Sequence, residues 1–88
     1  MYFAHIDRIS KSRLTLNRDR EYATLRRMLA LSPSHTVLDV DSGDGFWTAR
    51  FATHCAHITG LEPDGRMLGY ARTLHQRSNV IYVCGVSE

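Results

Sequence analysis

The stretch Thr36-Val37-Leu38-Asp39-Val40-Asp41-Ser42-Gly43-Asp44-Gly45-Phe46 decides the fold. Val37, Leu38 and Val40 make a short, β-branched apolar run of the kind that suits a strand in the middle of a sheet. The run carries Asp39 and opens into a turn holding Gly43 and Gly45, where the missing Cβ atoms let the backbone turn sharply and approach a ligand. Phe46, Ala49, Phe51 and Ala52 then recur in a mostly helical pattern as far as Cys55, leaving Trp47 and Arg50 for outer or interface positions. A strand that runs through a glycine turn into a helix is a standard place to hold a nucleotide-like cofactor.

Outward from this stretch, the pattern extends in both directions. Upstream, Tyr22, Leu25, Met28 and Leu29 recur at three- and four-residue spacing, so an amphipathic helix is expected from about Asn17 to Leu31. Ser32, Pro33 and Ser34 end it, because proline cannot continue the hydrogen-bond ladder. Residues 1–16 lack sustained periodicity and read as an N-terminal arm, with 17–88 as the domain proper. Downstream, Ile58 to Leu61 reads as a second strand ending in Glu62. Pro63 and Asp64 mark the boundary of a second helix bearing Met67, Leu68, Ala71 and Leu74, with Asp64 as a candidate cap. Asn79 to Cys84 reads as a third strand.

The fold class is therefore α/β, a truncated Rossmann-like three-layer sandwich in which a helix precedes β-α-β-α-β. Right-handed crossovers put the three parallel strands in the spatial order 3-2-1. The far side of the first strand is expected to be an open apolar edge, a liability for pairing with another chain.

Composition narrows the class. With 88 residues the chain buries only about 60 to 65% of its unfolded surface, so stability is expected to be marginal. A hydrophobic content of 43% with 23% charged residues argues against disorder. The net charge of +2 rests mainly on arginine, notably Arg8, Arg13, Arg18, Arg20, Arg26 and Arg27. Arg26 and Arg27 lie among helix formers beside Asp19 and Glu21, which reads as a solvated helix face rather than a nucleic-acid surface. Cys55 and Cys84 lie in separate segments with no CxxC pair, and no disulfide is expected. His54, Cys55 and His57 cluster, but the strand that follows splits their side-chain directions, and no metal site is expected. With no membrane-length apolar run and no apolar leader core, the expected location is cytoplasmic.

The charges of the turn select among ligands. Glu62 falls at the end of the second strand, roughly 20 residues beyond the turn, where a carboxylate can accept hydrogen bonds from both ribose hydroxyls. A dinucleotide would place its pyrophosphate over the turn, and the usual motif supplies three glycines for it. Here Thr48 stands at the third position, and Asp39, Asp41 and Asp44 make the turn acidic. Carboxylates repel a pyrophosphate and favour a ligand with ammonium and sulfonium groups, so S-adenosylmethionine fits better than a nicotinamide dinucleotide.

With these residues in place, the chain resembles a class I S-adenosylmethionine-dependent methyltransferase. VLDVDSGDGFWTARFA resembles the first family motif, VLDxGxGxG; GLEPDGRMLGYAR resembles the second-strand acid and its following helix; NVIYVCGVSE resembles the third strand. The resemblance implies that Asp39 orients the amino-acid part of the cofactor. It further implies that Gly43 and Gly45 give backbone room, Glu62 holds the ribose, and Pro63 and Met67 line the adenine side. Asp41 replaces the first motif glycine; a positive φ at that position would be tolerated poorly by aspartate, whose side chain would also crowd the cofactor. Val86 stands where the family often has an acid. The family's later strands, which carry the acceptor site and any catalytic groups, have no counterpart in this sequence.

Two functions follow as expectations. The first is the S-adenosylmethionine-binding portion of a methyltransferase that modifies an unidentified acceptor, incomplete for catalysis, with a cofactor set of Asp39, Asp41, Gly43, Gly45, Glu62 and Pro63. The alternative is a non-catalytic remnant that pairs with itself or a partner chain through the open strand edge.

Overall fold

The computed structural model describes residues 2–5 and 30–86. Within them the order is β1 (Tyr2–His5), β2 (Thr36–Val40), α1 (Phe46–Phe51) continued by a 3-10 turn (Ala52–His54), β3 (His57–Glu62), α2 (Gly65–Leu74) and β4 (Val80–Cys84). The four strands form one parallel sheet in the order β1-β2-β3-β4. The three strands read from the sequence are β2, β3 and β4, and they lie in the expected order. The expected helix from 17 to 31 falls almost wholly outside the described residues.

The edge expected to be open is filled. Tyr2–His5 pairs in parallel with β2, Tyr2 beside Val37 and His5 beside Val40. Four residues within the expected arm are therefore a strand. A segment this short carries too little periodicity to announce itself, and the neighbouring β2 imposes its conformation through pairing.

Both helices pack on one face of the sheet. In register, Val37, Ile58 and Val80 form one row on that face, followed by Asp39, Gly60 and Tyr82. Trp47, Phe51 and Ala52 from the first helical segment and Leu68 and Ala71 from α2 complete the buried cluster. Trp47 belongs to this core, only 3% exposed and stacked on Phe51, rather than to an outer position. Phe46 takes the more external place, with the Arg50 guanidinium 3.6 Å from its ring centre. Leu74, read as part of the apolar stripe of α2, is exposed. On the opposite sheet face Ile81 and Val83 are also exposed.

Side chains close the ends of these elements. Asp64 caps α2 by accepting from the Arg66 amide at 2.9 Å. The Asn79 amide donates to the Ala52 carbonyl at 2.7 Å, tying the residue before β4 to the start of the 3-10 turn. Along β4, Arg72 donates to the Tyr82 carbonyl at 2.9 Å and Gln76 to the Val80 carbonyl at 2.8 Å. Edge carbonyls on this side of the sheet are thus occupied by side chains one helical turn apart.

Tyr82 locks the helices to the sheet. Its hydroxyl donates to the His75 carbonyl at 2.7 Å, beyond the end of α2. Its ring lies beneath Gly45, where a Cβ would meet Tyr82 Oη at 2.5 Å and Cζ at 2.9 Å. Gly45 also has φ +82°, so both its conformation and its space demand glycine. Gly43 has φ +62° but open space, since a Cβ there would meet only the Met67 methyl at 3.8 Å.

Two outcomes follow. Gly45→Ala should cost about 3 kcal/mol, combining left-handed strain with overpacking, while Gly43→Ala costs about 1 kcal/mol from strain alone. Urea unfolding of the two variants measures the difference, and equal losses would show that the Tyr82 contact does not constrain the turn. Burial pushes the Tyr82 phenol up to about 12, opposed by Arg77 and reinforced by Asp39 and Asp44. Because the folded value lies above the ordinary one, Tyr82 contributes stability fully below about pH 10 and loses it as pH rises toward 12. Tyr82→Phe should flatten that alkaline decline while costing about 1 kcal/mol at neutral pH through the lost hydrogen bond. Parallel pH profiles for the two proteins would contradict the assignment.

Candidate functional site

The carboxyl ends of β2 and β3 bring the site residues together. Thr36–Val40 pairs with His57–Leu61 residue for residue, so the two strands end side by side at Val40 and Leu61. Beyond them the Ser42 amide donates to the Leu61 carbonyl at 3.1 Å, which folds the glycine turn across the end of β3. This is where open parallel sheets place ligands, outside the carboxyl ends of their strands.

Glu62 holds that arrangement. Its Oε1 accepts from the Gly43 amide at 2.8 Å and its Oε2 from the Asp64 amide at 2.9 Å. One carboxylate thereby joins the glycine turn, the end of β3 and the start of α2. The side chain is fully buried. An ionised carboxylate is an acceptor only, so hydroxyl donors are the kind of ligand group it suits.

Asp39 is likewise fully buried and accepts from the Thr48 hydroxyl at 2.7 Å. Thr48, which looked in sequence like a missing glycine, is the residue that orients this acid from α1. A hydroxyl nine residues after a strand acid has no recognisable spacing signal, because the partnership depends on how the turn folds back. Asp44 Oδ1 accepts from the Phe46 amide at 3.0 Å, an Asx turn that starts α1 and is legible in the Asp-Gly-Phe order.

Asp41 has φ +57°, in the left-handed region. The first motif position does require a positive φ, as the departure from glycine implied. Aspartate is among the few side chains that tolerate it, because its short polar group interacts with nearby backbone. Asp41 is half-buried, at the mouth of the turn.

The remaining expected residues divide. Gly43 lies beside Met67, on the side where a ligand is expected. Gly45 instead faces Tyr82 and Ala71 inside the core, so its bare α-carbon serves helix-to-sheet packing. Pro63 is exposed at the end of β3, next to Glu62, and its carbonyl lies 3.8 Å from the Cys84 sulfur. Val86 is exposed. Sequence reasoning passed over Gly60 and Ser42. A Cβ on Gly60 would meet the Ser42 hydroxyl at 2.8 Å and the Tyr82 ring at 2.9 Å, so this mid-strand glycine makes room for both. Ser42 Oγ is buried with no hydrogen-bond partner.

Among the described residues no group of three or more His, Cys, Asp or Glu is placed to hold a metal ion. Cys55 is buried, its thiol donating to the Phe51 carbonyl at 3.5 Å, and burial pushes its pKa up. No helix among the described residues is long and apolar enough to cross a membrane.

Comparison with known proteins places this geometry. No family model matches the chain. The biotin biosynthesis bifunctional protein BioHC of Cellvibrio japonicus is 40% identical over 52 residues, 59% of this chain and 10% of that protein. Among solved structures, the YcgJ protein of Bacillus subtilis superposes with a TM-score of 0.71 at 20% identity, over 77% of this chain and 30% of its own. DhpI in complex with SAH gives 0.66 at 25% identity, over 82% and 35%. The complex of the Haloferax volcanii Trm112 methyltransferase activator with a methyltransferase gives 0.62 at 22%, over 86% and 36%. This chain thus spans about a third of those structures and a tenth of the curated relative. In fold and in the order of its motifs, the chain is similar to the N-terminal, cofactor-binding part of the class I S-adenosylmethionine-dependent methyltransferases.

Proposed function

We propose that this chain is the S-adenosylmethionine-binding portion of a class I methyltransferase. The observation that carries the reading is the Glu62 carboxylate bonded to the Gly43 amide, which joins the strand-end acid and the glycine turn in one place. The DhpI neighbour, similar over 82% of this chain, is a complex with SAH, the form the methyl donor takes after transfer. The acid-rich turn supports the same ligand class, because Asp39, Asp41 and Asp44 attract the ammonium and sulfonium groups and repel a pyrophosphate.

The donor set fits such a ligand in type and order. Glu62 would hold the ribose hydroxyls, with Pro63 and Met67 along the adenine side. Asp39, kept in place by Thr48, would orient the amino-acid end through the turn, and Gly43 would let the backbone approach. When bound, S-adenosylmethionine supplies an activated methyl group on its sulfonium sulfur. The contribution of these residues is to position that group, and positioning is most of what such transfer requires of a protein. The structural neighbours extend well beyond the part matched here, and the acceptor site is not assigned to any residue of this chain.

Calorimetric titration with S-adenosylmethionine and S-adenosylhomocysteine should show saturable binding of both. No detectable heat up to about millimolar ligand would remove the cofactor reading. Truncating Glu62 to alanine would strip both backbone amides, Gly43 and Asp64, of their acceptor. Glu62→Gln removes the charge but keeps one oxygen acceptor and leaves only one of the two amides facing an NH2 group, so it is the milder variant. It should weaken binding about tenfold while the far-ultraviolet circular dichroism stays that of the parent. Unchanged affinity would place the ribose elsewhere. Asp41→Gly should raise stability by about 0.5–1 kcal/mol in urea unfolding by releasing left-handed strain, and a loss would show that the Asp41 side chain holds the turn.

A further inference from the structure

We propose that Arg72 and Gln76 form a built-in cover over the outer edge of β4, and that this cover keeps the strand from pairing with a second copy of the chain. The inference goes beyond cofactor binding and does not depend on it, since neither residue belongs to the cofactor set.

The composition of β4 calls for such a cover. Among the described residues it ends the sheet, with β3 as its strand neighbour. Its sequence, Val80-Ile81-Tyr82-Val83-Cys84, holds no charge and no proline, and Ile81 and Val83 stand exposed. An uncharged run of β-branched and aromatic residues on a sheet edge is the kind that recruits another strand.

Backbone hydrogen bonds identify the groups that face outward. The Asn79 carbonyl accepts from the Ile58 amide at 3.0 Å, and the Gly85 amide donates to the Glu62 carbonyl at 3.2 Å. The odd-numbered residues of this stretch therefore turn their backbone groups toward β3. Because these groups alternate along a strand, Val80, Tyr82 and Cys84 face the outer edge. At Val80 the amide donates to the Arg77 carbonyl at 3.1 Å and the carbonyl accepts from Gln76 at 2.8 Å. The Tyr82 carbonyl accepts from Arg72 at 2.9 Å. A pairing strand needs both carbonyls, and it would have to displace two side-chain hydrogen bonds, one of them charge-assisted. The guanidinium also sets a positive charge on the edge, which deters pairing further.

The test removes the cover and then the edge. In sedimentation equilibrium, the double variant Arg72→Ala, Gln76→Ala should show a mass average rising with concentration toward twice that of the parent. Adding Cys84→Pro deletes an edge-facing amide without touching the ladder to β3, and should return the mass to the parent's value. A double variant whose mass follows the parent's at every concentration would overturn the proposal. Association that persists with the proline in place would also overturn it, because the contact would then lie away from the β4 edge. If the double variant loses the parent's circular dichroism, the single variants carry the same test. Each exposes one carbonyl and should associate beyond the parent, reversibly by Cys84→Pro, and parental mass in both would overturn the proposal. Calorimetric titration of the parent bears on the cofactor reading alone.

Discussion

The carboxylate of Glu62 is the constraint on which the rest of the site depends. It is a buried acid that accepts the backbone amides of Gly43 and Asp64, and charge-assisted bonds of this kind are about twice as strong as neutral ones. Without it, the turn after β2 and the start of α2 would each present an unsatisfied amide at the end of the sheet. The same acid is the group that the cofactor reading assigns to a ribose. On that reading, structural and binding roles converge on one side chain. A ligand hydroxyl would join an existing hydrogen-bond centre rather than find a waiting, solvated carboxylate, and the turn is already organised for it.

A second constraint works from beneath. Gly45, Gly60 and Tyr82 form a close-packed unit in which two glycines leave room for one aromatic ring and its hydroxyl reaches past the end of α2. This unit fixes how near α1 and α2 can lie to the strands. It also explains why two glycines of the same motif differ in function: Gly43 opens outward beside Met67, and Gly45 closes inward on the ring. Asp39 shows the same division among acids. Thr48 holds its carboxylate inside the fold, while Asp41 and Asp44 stay part-exposed at the mouth of the turn.

Most of the sheet was legible in the sequence because each of β2, β3 and β4 carries its own apolar run and its own boundary residues. Val37 and Val40, Ile58 and Leu61, Val80 and Val83 are local signals, and Asp64 announces α2 by its chemistry. The parts that were not legible are those settled by contact. Tyr2–His5 becomes a strand only because β2 lies beside it. Trp47 enters the core because α1 is short and turns that face inward, and the Thr48–Asp39 bond exists only after the glycine turn closes. The positive φ at Asp41 lies between these cases: the motif comparison raised it, and the backbone bears it out.

Among the described residues the two faces of the sheet are covered unequally. The described helices cover the face bearing Val37, Ile58, Val80 and Tyr82, while Ile81 and Val83 stand exposed on the other. Parallel sheets bury both faces in most folds, because their crossover connections supply helices to each. Here β2, β3 and β4 advance in one direction, and the right-handed connections between them, through α1 and α2, return along one face only. Covering the second face requires connections that reverse direction, which is also what creates the crevice where open α/β sheets bind ligands. The position of β1 matters for this reason. It occupies the side of β2 from which a reversing connection would start, so a strand arriving by such a connection would meet an edge already paired.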